Sequence, residues 1–233
     1  MRSPAPSPRT RTESAIDALL PGLRHVAWTS RTQARARFKA LCLDEMESLL
    51  PESGLMLDLG CGQGIASHWL ARRRPRARVV AVDFDRRKID DARRFAPVPE
   101  NLEFVEGDAI GAARGLRGSS VRVALLADFL SSLALDRQRE LLGVLADRLE
   151  PGGLLVVLFV DTEPRWRFEL NRARSTILCK VLRLSRIDGS SFGYVGLATY
   201  REWIERDGLS VTAASPLPGL APRRRLVAKR VAT

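Results

Sequence analysis

The fold of this chain is decided by residues 55–64, which read LMLDLGCGQG. Four mostly apolar residues predict a buried strand, and glycines then stand at every second position. Glycine lets a backbone turn sharply and approach a ligand without interference from Cβ. A helical pattern runs from Ile65 to Arg73, so the positive end of a helix follows the glycines. This stretch therefore predicts a strand–turn–helix unit with a ligand-binding turn.

The same alternation of apolar runs and helical patterns continues along the chain. Further strands are predicted at 79–83, 102–108, 121–128 and 154–161, and further helices at 85–95 and 136–149. Near-continuous apolar strands are typical of a sheet that is covered on both faces. The pattern predicts an α/β fold with a doubly wound, mostly parallel sheet, in which ligands bind beyond the carboxyl ends of the strands.

Acidic residues follow the predicted strands at this edge. Asp83 stands about twenty residues beyond the glycines, where a carboxylate can accept both hydroxyls of a ribose, and Phe84 can pack on a purine. Asp108 and Asp128 end the third and fourth strands. A single Asp often only caps a helix or a turn. The ordered set, together with the glycine turn, predicts a nucleoside site.

The glycine spacing separates two kinds of nucleotide site. The glycines fall as GxGxG, and Ile65 stands where the dinucleotide fingerprint GxGxxG needs a small residue. A nicotinamide dinucleotide therefore fits less well than another nucleoside.

Four motifs resemble those of class I S-adenosylmethionine-dependent methyltransferases: DLGCGQG at 58–64, VVAVD at 79–83, EGDA at 106–109 and LEPGG at 149–153. The resemblance implies a Rossmann-like domain over 51–233, with a seven-stranded sheet whose last strand is antiparallel. It makes 151–153 the turn into the fifth strand. It also implies a terminal helix at 199–208 and strands at 209–213 and 225–231.

The same resemblance implies S-adenosylmethionine as cofactor and S-adenosylhomocysteine as product. The glycines would hold the methionine part, Asp58 would stand near its amino group, Asp83 would bind the ribose and Asp108 the adenine amine. The full set of implied cofactor residues is Asp58, Gly60, Cys61, Gly62, Gly64, Asp83, Phe84, Asp108, Ala109 and Ala127.

No catalytic base is fixed by the resemblance, because a sulfonium methyl group is already activated. Asp128, His25 and Tyr194 are the candidates. His68 lies on the helix after the glycine turn and is expected to be a surface or packing residue.

Two segments outside the predicted sheet are expected to determine which methyl acceptor binds. Residues 1–14 are predicted to be a disordered tail, and 15–50 an N-terminal helical cap, because apolar residues recur at helical spacing from Ile16 to Leu50. Residues 162–197 form an insert that is either a helix with a solvated basic face or a lid over an apolar pocket. The candidate acceptor-binding residues are Trp28, Arg165, Trp166, Phe192 and Tyr194, with Phe168 as a further aromatic.

The charge of the chain leaves three functions open. Its 233 residues carry 38 basic and 27 acidic side chains, for a net charge of +11. The first 40 residues have 8 basic and 2 acidic side chains, and the last 13 have 5 and none, whereas 41–160 have 16 and 18. The favoured function is methyl transfer to an O, N or C atom of a small apolar, aromatic or lipid-like metabolite. The alternatives are an RNA methyltransferase and a non-catalytic scaffold whose basic ends, including 223–225, contact an anionic membrane.

Composition and cysteine usage exclude other classes. The chain is 45% hydrophobic and 28% charged, which excludes collagen-like, low-complexity and wholly disordered proteins. Three cysteines without CxxC spacing predict no metal site and no disulfide framework, as in a cytoplasmic protein. The longest apolar run, 154–160, is far shorter than the ~20 residues of a membrane helix.

Overall fold

A computed structural model describes residues 38, 40–95, 97–182 and 193–231, with the backbone alone over 175–182. Its centre is one seven-stranded sheet in the order β3-β2-β1-β4-β5-β7-β6. Strands β1 to β5 pair in parallel, and β7 is antiparallel to both β5 and β6. The predicted fold class is confirmed. The strands are β1 Ser53–Leu59, β2 Arg76–Asp83, β3 Leu102–Glu106, β4 Val121–Ala127, β5 Leu149–Val160, β6 Leu209–Pro216 and β7 Arg223–Arg230.

Helices cover both faces of the sheet. The described helices are α1 Ile65–Arg73, α2 Arg86–Phe95, α3 Ala109–Arg114, α4 Leu135–Arg148, α5 Arg165–Leu182 and α6 Leu197–Arg206. One core joins α1, α2 and residues 38–50 to the sheet, with Trp69 at its centre. The opposite core holds α3, α4 and α6, where the Tyr200 hydroxyl donates to Gln138 Oε1 at 2.7 Å. The doubly wound arrangement leaves the strand ends as the open edge.

The predicted helix up to Leu50 is wrong in its last part. Cys42 adopts a left-handed backbone with φ 46°, and a 3-10 helix, Leu43–Leu49, follows it. Leu43 and Met46 are buried three residues apart, which suits a helix with three residues per turn. Residues 1–37 lie outside the described residues. The disordered tail and most of the helical cap therefore stay predictions.

Two boundaries and one short helix differ from the predicted elements. Strand β5 begins at Leu149, so 151–153 lie in a bulge within the strand, where Gly152 has φ 79° and the register with β4 shifts. Helix α3 was not predicted, because six residues show no usable periodicity. Helix α6 begins at Leu197, whose N–H donates to Asp161 Oδ1 at 3.2 Å, two residues before the predicted start.

Candidate active site

The strand order reverses between β1 and β4, at the centre of the sheet. Helix α1 follows β1 on one face, and α4 follows β4 on the other. A crevice opens at such a switch point beyond the carboxyl ends of the strands. The glycine turn 60–64 follows β1, and Asp83, Asp108 and Asp128 end or follow β2, β3 and β4. The topology therefore brings the predicted residues to one edge.

The glycine turn packs closely against its neighbours. Gly60, Gly62 and Gly64 have φ of 72°, 57° and 72°, a backbone that other residues rarely adopt. A Cβ at Gly60 would stand 2.2 Å from the Phe129 ring, and one at Gly64 would stand 2.7 Å from the Phe104 ring. These two positions require glycine both for conformation and for space.

Asp83 ties the glycine turn to the end of β2. This nearly buried carboxylate accepts from Gly62 N at 2.8 Å through Oδ2 and from Asp85 N at 2.9 Å through Oδ1. A carboxylate has about four acceptor sites, so each oxygen can accept another hydrogen bond. Phe84, beside it, is 53% exposed, and Lys88 Nζ lies 5.8 Å from its ring centre. An acceptor for hydroxyl groups and a flat apolar surface thus stand together.

Asp58 and Asp108 have structural partners. The buried Asp58 accepts from Ser67 Oγ of α1 at 2.5 Å. Asp108 caps α3, because its Oδ2 accepts from Gly111 N at 2.8 Å, and Arg137 Nη2 lies 3.4 Å from its Oδ1. The side chain of Asp108 is nevertheless half-exposed at the edge of the sheet. The buried residues among the predicted set are Asp58, Gly60, Cys61, Gly62, Gly64, Asp83, Ala109 and Ala127.

Asp128 lies directly beside the glycine turn. It has φ 54°, a conformation that Asp tolerates better than most residues, and the next residue, Phe129, packs on Gly60. Arg223 Nη2 lies 3.1 Å from Asp128 Oδ2. The sequence prediction did not place Arg223 here. A signal existed, since an antiparallel last strand has to begin at the carboxyl edge of the other strands.

The arginines at the start of β7 all have partners within the fold. Arg223 pairs with Asp128, Arg224 with the buried Asp161, and Arg225 Nη2 lies 3.1 Å from Glu45 Oε2. Arg224 faces the core of α6, whereas its two neighbours face residues 38–50. The charges of residues 223–225 are therefore paired within the fold. They give no support to a scaffold that contacts a membrane through this segment.

The start of α5 carries the predicted acceptor residues. Trp166 is 68% exposed, and the rings of Phe168 and Tyr194 meet edge-on with 5.1 Å between their centres. Arg165 is exposed, and its backbone N–H donates to Glu163 Oε2 at 3.1 Å. Among the predicted residues, Trp28, His25 and Phe192 lie outside the described residues.

His68 is a core residue of α1. Its ring lies between Phe95 and Phe104, Nε2 donates to Ala92 O at 2.9 Å, and Nδ1 accepts from Arg72 at 3.3 Å. Burial lowers the pKa of His68 to about 4, so the ring is neutral at physiological pH. The imidazole packs the helix behind the glycine turn and does not face the crevice edge.

The described part of the chain contains neither a metal-ligand cluster nor a membrane-spanning helix. No three His, Cys, Asp or Glu side chains in those ranges stand close enough to share a metal ion. None of the described helices is both long and apolar enough to cross a bilayer.

Comparison with known proteins relates the centre of the chain to one family. Residues 56–153 match a family model described as a methyltransferase domain. The match covers 98 of the 233 residues. The matched range runs from β1 into β5 and includes the glycine turn and all the acidic strand ends described above.

Three similar proteins illustrate the range of this methyltransferase class. The ribosomal RNA small subunit methyltransferase C of Stutzerimonas stutzeri is 37% identical over 75 residues, which are 32% of this chain and 22% of that protein. The malonyl-[acyl-carrier protein] O-methyltransferase of Halalkalibacterium halodurans is 27% identical over 153 residues, 66% of this chain and 54% of that protein. The chain thus spans about a fifth of the length of the first relative and about half of the length of the second.

The third similar protein is a solved structure. It is the O-methyltransferase family 2 protein of Planctomyces limnophilus in complex with apigenin. It has a TM-score of 0.62 and 19% identity, and the match covers 97% of this chain and 62% of that one. At this identity the likeness concerns the fold.

Three observed features of this edge suit S-adenosylmethionine, the cofactor that the sequence motifs imply. The positive φ of Gly60, Gly62 and Gly64, with the Phe129 and Phe104 rings packed on two of them, fixes the shape of the glycine turn. The carboxylate of Asp83 has acceptor capacity left for hydroxyl donors. The exposed ring of Phe84 stands next to it. A nucleoside with a charged amino acid tail matches such a set of groups.

Proposed function

We propose that this chain transfers the methyl group of S-adenosylmethionine to an O, N or C atom of a small apolar, aromatic or lipid-like metabolite and releases S-adenosylhomocysteine. The observation that carries the proposal is the hydrogen bond of 2.8 Å from Gly62 N to Asp83 Oδ2. This bond joins the turn after β1 to the acid that ends β2. Both residues lie in the range that matches the methyltransferase-domain model.

The proposed cofactor contacts follow the order of the strands. The backbone of turn 60–64 holds the methionine part, with Asp58 near its amino group. Asp83 accepts the ribose hydroxyls, Phe84 packs on the purine, and Asp108 with Ala109 binds the adenine edge. Ala127 ends β4 beneath the reacting group. The spare acceptor capacity of Asp83 and the exposure of Phe84 support this assignment.

When bound, the cofactor supplies a methyl group that a positively charged sulfur has already activated. The chain then has to align the acceptor with that methyl group and exclude water. Asp128 lies beside the glycine turn, whereas Tyr194 packs on Phe168. Of these two catalytic candidates, Asp128 is the better placed to contact an acceptor.

A small apolar acceptor is supported by the start of α5. Trp166 is largely exposed, and Phe168, two residues later on α5, packs edge-on against Tyr194. One relative is named for a malonyl group on acyl-carrier protein, and one structural neighbour was solved with apigenin. We extend this preference for small acceptors to the present chain.

RNA is the second candidate acceptor. The relative with the highest identity reported above is a ribosomal RNA methyltransferase, although the match covers only 75 residues. The basic segment 1–40 would attract RNA phosphates. Contact of the same basic segment with an anionic membrane stays a prediction.

Methyl transfer can test the acceptor class directly. The protein is incubated with S-adenosylmethionine labelled in its methyl group and either a protein-free metabolite extract or total RNA. We expect label in the metabolite fraction, and none when Asp83→Asn protein is used. Label in RNA alone would favour the second candidate. Binding of S-adenosylhomocysteine without transfer to either fraction would favour the scaffold.

A further inference from the structure

The ion pair between Arg223 and Asp128 uses only part of its bonding capacity. Arg223 Nη2 lies 3.1 Å from Asp128 Oδ2. Arg223 Nε and Asp128 Oδ1 are buried, and neither has a hydrogen-bond partner among the described residues. An arginine and a carboxylate often make two parallel bonds, and a buried donor or acceptor without a partner is destabilising. The pair therefore offers one donor and one acceptor to a third group.

The pair stands at the carboxyl edge of the sheet, where the candidate site lies. Asp128 follows β4, the neighbour of β1, and Phe129 fixes it against Gly60. Arg223 begins β7, opposite Val160 at the end of β5. The two side chains keep 18% and 27% of their surface exposed. For a third group to bind there, these partly exposed side chains have to rotate.

We propose that Arg223 and Asp128 bind the hydroxyl group of the methyl acceptor, so that the acceptor is a hydroxyl compound. This inference rests on the proposed methyltransferase function. A hydroxyl has one hydrogen to donate and two lone pairs. It donates to Asp128 Oδ1 and accepts from Arg223 Nε. One lone pair of its oxygen then remains free to face the methyl donor.

The surrounding charges disfavour acidic acceptors. Around Cys42 lie Arg223 and Arg225, but also Asp44 and Glu45, and Asp128 adds a third carboxylate to this wall. Both carboxylate oxygens of Asp44 are buried without a hydrogen-bond partner. A carboxylate acceptor would be repelled by Asp128, and an ammonium group by Arg223. A neutral group that both donates and accepts avoids both repulsions.

Three probes with one apolar body separate these cases: 4-phenylphenol, 4-phenylbenzoate and 4-phenylbenzylamine. Their affinities are measured by calorimetry on protein saturated with S-adenosylhomocysteine. The variants are Arg223→Gln and Asp128→Asn. The control is Lys229→Gln, which removes a positive charge from the same face of β7 at the opposite end of the strand. Binding of S-adenosylhomocysteine also shows that each variant is folded.

We expect the phenol to bind about tenfold or more tightly than the other two probes, since hydrogen bonds to charged groups are strong. Each variant should reduce this preference to about threefold or less, and the control should keep it. Tighter binding of the benzoate or the amine, an unchanged preference in both variants, or no binding of the phenol would overturn the inference. Failure of the wild-type protein to bind S-adenosylhomocysteine would instead overturn the proposed function.

Discussion

The two halves of the candidate site are held together by different kinds of bond. In the cofactor half, which comprises turn 60–64, Asp83 and Asp108, each carboxylate accepts from a backbone N–H. In the acceptor half, which comprises Asp128, residues 223–225 and the start of α5, the carboxylates pair with arginine side chains. Backbone bonds fix one geometry. Side-chain pairs can be exchanged for others without altering the sheet.

This difference explains how one fold serves many acceptors. The cofactor half constrains the chain conformation itself, because three of its glycines have positive φ. In the acceptor half, Asp128 also has positive φ, but the described contacts of this half are mainly ion pairs between side chains. We therefore expect substitutions in the cofactor half to affect folding, and those in the acceptor half to affect the choice of substrate.

The largest expected effect is that of Gly60→Ala. The new Cβ would stand 2.2 Å from the Phe129 ring and would also force alanine to φ 72°. We expect a loss of about 3–4 kcal/mol in the free energy of unfolding, measured with urea. Gly118→Ala is the matched control, because Gly118 has φ +57° with nothing within 4 Å. It should lose only about 1 kcal/mol. Equal losses would show that the packing of the turn is unimportant.

A smaller effect is expected on acidification, through His68. Its pKa is 6.5 in the unfolded chain and about 4 in the folded protein, because burial disfavours the charged ring. Between these values the unfolded chain binds the extra proton, so the free energy of unfolding falls as the pH falls from about 6.5 to about 4. Between pH 7.5 and 5 we expect His68 to account for about 2 kcal/mol of lost stability.

The measurement compares urea unfolding of the wild type and of His68→Gln at both pH values. The variant should lose about 2 kcal/mol less than the wild type on acidification. The chain has two histidines, and His25→Gln measures how much of the acid response comes from the other one. An identical acid response in all three proteins would contradict the burial of His68.

The smallest effect on stability is expected in the acceptor half, for Trp166→Ala. Its side chain is largely exposed, so the free energy of unfolding should change by less than about 0.5 kcal/mol. The affinity for S-adenosylhomocysteine should also stay the same, whereas labelled methyl transfer to the metabolite extract should fall. Unchanged transfer would show that Trp166 is a surface residue of α5 and does not contribute to acceptor binding.

The parts of the fold that local sequence determines were predicted well. The apolar runs predicted the first five strands, because each run is a few consecutive residues, and the resemblance to a known family supplied the last two strands and the antiparallel direction of the last one. The local sequence pattern gave wrong element boundaries where the backbone is irregular. Cys42 breaks the N-terminal helix, and Gly152 lies in a bulge that the sequence alone did not distinguish from a turn.

The acceptor half was predictable only in part, because distant segments build it. Arg223 and Asp128 are far apart in the sequence, and Arg225 reaches Glu45 across 180 residues. The spacing of residues in the sequence does not predict such ion pairs. They can be predicted only when the order of the strands in the sheet is known. Asp128 was predicted because it ends a strand, whereas its partner Arg223 depends on which strand β7 joins.

The most direct test of the account is calorimetric titration of the whole chain with S-adenosylhomocysteine. We expect the wild type to bind, and Asp83→Asn to bind about 10–100-fold more weakly, since it loses charged acceptor capacity for hydroxyl groups. Glu103→Gln is the control, because it removes an exposed carboxylate on β3 that pairs with Arg78, and it should bind as the wild type does. No binding by the folded wild type, or full affinity in Asp83→Asn, would contradict the central claim.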